Sequence, residues 1–70
     1  SLRDVVRRYQ ELVRRYDELI KTLTEILKKY QKKGAEDKDA STELVKAVRT
    51  SLKLSKELLK LNSELLKEDS

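Results

Sequence analysis

Seven side chains in this 70-residue sequence combine a hydroxyl, a phenol or an amide with a place inside an otherwise apolar pattern: Tyr9, Tyr16, Tyr30, Ser41, Ser51, Ser55 and Asn62. The chemistry open to them is hydrogen bonding. A Tyr or Ser nucleophile needs an adjacent base and donors for a developing oxyanion. The chain has no His and no Cys, so it lacks the usual base, the thiolate and the imidazole and sulfur metal ligands together. No catalytic residue, cofactor, metal or small-molecule substrate is expected, and the chain reads as not an enzyme. A buried phenol or amide without a partner costs on the order of 1–3 kcal/mol. Polar groups set among leucines therefore imply matched partners, and matched partners hold one register and one arrangement of helices. The plainer alternative is that each Tyr is a large core residue with its hydroxyl in water, and that Ser51 and Ser55 are merely small.

These residues must be positioned by long helices. From Leu2 to Tyr30 the apolar residues recur at intervals of three, one and three without a slip. That is a seven-residue repeat, which averages 3.5 residues per turn and demands a left-handed supercoil. The second half repeats the stripe from Leu44 to Leu66, with Ser51, Ser55 and Asn62 taking places in it and Ala47, Leu54 and Leu61 widening it. Lys46, Lys53, Lys60 and Lys67 form the opposite, solvated face. Lys28, Lys29, Lys32 and Lys33 suit the negative end of a first helix, Gly34 suits the left-handed position beyond it, and Asp37 suits the N-cap of a second helix with Asp39 in its first turn. The spacing predicts helices over about 2–33 and 38–68 and a loop at 34–37.

Two such helices joined by a short loop fold back antiparallel. With the turn between Ala35 and Glu36, facing residues carry numbers that add to about 71. This pairs Tyr30 with Ser41, Leu23 with Val48, Tyr16 with Ser55 and Tyr9 with Asn62, polar with polar and apolar with apolar.

The 17 basic and 13 acidic residues leave a net charge of +4 that belongs to the first half: residues 1–33 hold ten basic and five acidic side chains, and residues 34–70 hold seven and eight. Asp4, Glu11, Glu18 and Glu25 recur every seven residues, interleaved with Arg7, Arg14, Lys21 and Lys28, as a solvated surface does. Glu11 with Arg15 and Glu25 with Lys29 have the favourable i,i+4 order. Acids interrupt the basic rows and no aromatic sits beside them to stack on a base, so nucleic acid is not an expected partner. A membrane surface is the lesser alternative, disfavoured by strict heptads, the lack of Trp and Phe, and the Ser and Asn inside the stripe. No stretch reads as a membrane span or a signal peptide, which fits a soluble, trimmed product of cytosolic or recombinant expression.

Two helices packed only on each other use two apolar positions per heptad. This sequence supplies three on the first helix and four on the second. The surplus face is an interface. The unbroken heptads, the restricted palette, the short Gly34–Asp37 loop and the polar layers at Tyr9/Asn62 and Tyr16/Ser55 make the whole chain resemble computationally designed helical-hairpin oligomers with buried hydrogen-bond networks. The resemblance implies an all-α fold, in which the hairpin is part of a left-handed supercoiled bundle. A four-helix homodimer is the expected assembly, and a six-helix trimer a further option. The basic row Arg8, Arg15 and Lys29 lacks an evident acidic flank on the second helix, which favours the alternative of a heterodimer with a different, more acidic hairpin.

Overall fold

The computed structural model describes residues 1–33 and 38–69. Helix α1 runs Leu2–Lys33 and helix α2 runs Lys38–Asp69, and among the described residues there is no strand. The two helices pack on each other as a hairpin. Gly34 and Asp37, the expected caps, lie outside the described residues. At the other end Ser1 caps α1: its Oγ accepts from the Asp4 backbone N–H at 3.4 Å and donates to the Asp4 carboxylate at 3.0 Å. The arrangement satisfies one of the orphan donors of the first turn and sets a negative charge at the positive end of the helix dipole.

The seam takes one buried position per heptad from each helix. Val5, Leu12, Leu19 and Ile26 come from α1, and Ala40, Ala47, Leu54 and Leu61 come from α2. Ile26 and Leu54 are its largest fully enclosed side chains. Tyr9, Tyr16, Leu23 and Tyr30 line one side of the seam half-buried, with Leu44 and Leu58 opposite. Among the described residues nothing covers this layer from outside.

The resulting particle measures 52 × 15 × 12 Å with a radius of gyration of 16.0 Å. A compact 70-residue domain would have a radius of about 11 Å. Its accessible surface is 5869 Å², where a compact monomer of the same mass would expose about 4,500 Å². A single hairpin is one layer of two rods, and that geometry cannot enclose an apolar stripe wider than the seam.

Candidate functional site

The register brings the expected polar partners together. The Tyr9 hydroxyl donates to Asn62 Oδ1 at 2.5 Å. Tyr16 and Ser55 lie hydroxyl to hydroxyl at 3.3 Å, and Tyr30 and Ser41 at 2.9 Å. The heptad spacing puts Leu23 and Val48 in the intervening layer. Ser51 does not join this set. Its hydroxyl donates to the Val48 carbonyl of its own helix at 2.6 Å, the back-bonding that a helical Ser commonly adopts.

These polar pairs are not buried in the single hairpin. No buried residue among those described is polar or charged, the three tyrosines are half-buried, and Ser55 and Asn62 are exposed. Flanking them are two exposed apolar rows at heptad spacing: Val6, Val13, Ile20 and Leu27 on α1, and Val45, Leu52, Leu59 and Leu66 on α2. Leu59 is 69% and Leu66 is 71% exposed. The site is therefore an open face with apolar rows on both sides and polar layers along its middle. Such a face can exclude water only when something of matching pattern lies on it.

The opposite side of the seam is closed by charge. Arg8 pairs with Glu64, Arg15 with Glu57 at 2.9 Å, and Lys29 with Glu43 at 2.9 Å, with Thr22 and Thr50 filling the remaining heptad of the two rows. The basic row of α1 thus finds its acidic flank in α2 of the same chain. Arg15 reaches across to Glu57, while Glu11 is taken by Arg14, which also holds Glu18. The hydrogen bond from Arg14, helped by the charges of Arg14 and Arg15, holds the Glu11 carboxyl below its ordinary 4.5, and the bond to Glu11 raises Arg14. A lowered carboxyl contributes stability that is present above its unfolded value and lost as the pH falls through the folded one.

Ion pairs as exposed as these contribute little. Arg15→Gln should change stability by no more than about 1 kcal/mol, and the loss should vanish in high salt. Denaturant titrations at low and high ionic strength check this, and a loss that survives in salt would mean that the Arg15 stem, not its charge, matters.

Among the described residues no helix is long and apolar enough to cross a membrane, and no group of His, Cys, Asp and Glu could hold a metal. Compared with known proteins, the chain matches no family model, no curated protein and no solved structure.

Proposed function

We propose that this chain is a structural module that self-assembles through its open face into a left-handed helical bundle, two hairpins forming a four-helix dimer, with three hairpins as the next closed arrangement. The observation that carries this is the exposure, on one face, of 11 large apolar side chains, against eight buried apolar residues of which two are only Ala. Covering them would stabilise the assembly by of order 10 kcal/mol at the usual value per side chain. The surface in excess of a compact monomer, about 1,300 Å², also exceeds the roughly 800 Å² that each partner gives to a standard interface.

The narrow palette, the unbroken heptads and the polar layers support a designed origin for such a module. A heterodimer with an acidic hairpin loses its support, since the acidic side chains that the basic row needs are Glu43, Glu57 and Glu64. A membrane surface suits the face poorly, because three polar pairs lie along its middle.

Light scattering behind a sizing column should give a mass of two or three chains. Because association and folding are linked, each tenfold rise in protein concentration should raise the melting temperature by about 5 °C. A monomeric mass with a concentration-independent melt would sink the proposal, and co-sedimentation with anionic liposomes would then test the membrane alternative.

A further inference from the structure

The layers along the open face are not symmetric end to end. From the free end toward the loop they run Tyr9/Asn62, Tyr16/Ser55, Leu23/Val48 and Tyr30/Ser41, that is, polar, polar, apolar, polar. A second hairpin laid on this face with its loop at the opposite end reverses that order. At full overlap the Tyr16/Ser55 hydroxyls would then meet Leu23/Val48 twice over. Sliding the copies by one heptad, about 10 Å at 1.5 Å per residue, lets polar meet polar but leaves one of the four layers on each copy uncovered. A copy with its loop at the same end matches every layer with itself.

The outer edges of the face select the same arrangement. Beyond the exposed apolar row of α1 lie Gln10, Asp17, Thr24 and Gln31, and beyond that of α2 lie Thr42, Arg49, Lys56 and Ser63. With loops together, α1 of one copy lies antiparallel to α2 of the next. The pairing that joins Arg15 to Glu57 within a chain then recurs between chains, setting Asp17 near Lys56 and every other edge residue against a partner without like charge. With loops apart and like helices adjacent, the same full overlap sets Arg49 against Lys56, two like charges, and leaves Asp17 against Thr24 with no basic partner across the rim. Opposed charges across a rim mainly decide orientation and reject wrong arrangements.

We infer that the occupant of the open face is a second copy of this chain in the same orientation, so that the assembly is cyclic, with all loops at one end and its symmetry axis along the bundle. Each polar layer is then continuous around the axis. At the free end, two copies bring two Tyr9 phenols and two Asn62 amides into one layer, where the Asn62 N–H groups gain acceptors that the described residues of one hairpin do not offer them. This inference rests on the self-assembly proposed above.

The chain has no cysteine, so single nitroxide labels at Arg3→Cys and Lys33→Cys, both exposed, report one end each. Distances between labels come from pulsed dipolar spectroscopy, on samples whose mass is measured alongside. In the cyclic assembly both ends give distances below about 35 Å, since neighbouring helices lie about 8–10 Å apart. An oligomeric mass with either end at about 45 Å or more, as opposed or slid hairpins require from the helical rise, overturns the orientation and leaves self-assembly standing. A monomeric mass overturns self-assembly itself, and the orientation with it. Denaturant midpoints for both labelled proteins, compared with the unlabelled chain, exclude damage to the fold by the labels.

Discussion

Replacing Leu52 and Leu59 together by Glu should turn the proposed assembly into a monomer with much reduced helix content. Both side chains stand in the exposed apolar row of α2, 58% and 69% exposed, so a lone hairpin would lose little by the change. In a bundle the same positions lie against the neighbouring copy, where an unpaired carboxylate costs several kcal/mol after relaxation. A dimer receives four such groups, and its dissociation constant should rise by more than about 10⁴-fold, since each 1.4 kcal/mol is a factor of ten. The released hairpin must then stand on eight buried residues, two of them Ala, and isolated two-helix pieces with so small a core are marginal. The control is Lys53→Gln with Lys60→Gln, next to these residues in sequence but on the wet face, which should leave mass and melting unchanged. Light scattering and circular dichroism on both variants decide the matter. A double-Glu protein with unaltered mass and melt would show that the face is not an interface.

The hairpin was legible because each of its determinants is local or periodic. Heptad spacing names the apolar face, the Lys28–Lys33 cluster marks the end of α1, and matching the layers leaves one register in which Tyr9 meets Asn62 and Tyr30 meets Ser41. The cap at Ser1 carries a signature too, a Ser followed three residues later by an acid. The acidic flank was hidden by its partner row. Arg15 has a helical neighbour at the favourable i,i+4 spacing in Glu11, and only the fold shows that the guanidinium goes to Glu57 on the other helix instead. Glu43, Glu57 and Glu64 are also an interrupted series, with Thr50 standing where a fourth acid would reveal the row. Ser51 occupies a stripe position, yet its hydroxyl donates to the Val48 carbonyl of its own helix. Burial was the least legible property. Periodicity says which face is apolar, whereas the depth of Asn62 depends on whether another chain lies over it.

That dependence makes the Tyr9–Asn62 pair a gauge of assembly. In a solvated hairpin the bond exchanges with water and is worth about 0.5–1.5 kcal/mol at most, whereas a covered amide stripped of its partner costs about 1–3 kcal/mol. Tyr9→Phe should therefore destabilise the assembled protein by roughly 1–3 kcal/mol, because in the proposed bundle it strands an amide that a neighbouring chain seals from solvent. Asn62→Leu should leave the protein helical and no less resistant to heat, since it adds hydrocarbon to the face and removes the penalty that wrong registers incur. Its cost should appear as extra oligomeric states. The double change should be milder than the sum of the two single ones, for Phe beside Leu leaves no polar group to satisfy. A double-mutant cycle in chemical denaturation, with masses recorded for all four proteins, measures the coupling directly. Repeated at a concentration low enough to dissociate the bundle, the coupling should fall toward the solvated value. Equal coupling at both concentrations would mean that the face stays wet at all times. Strict additivity with one unchanged mass would mean that the hydrogen bond between Tyr9 and Asn62 contributes nothing to specificity.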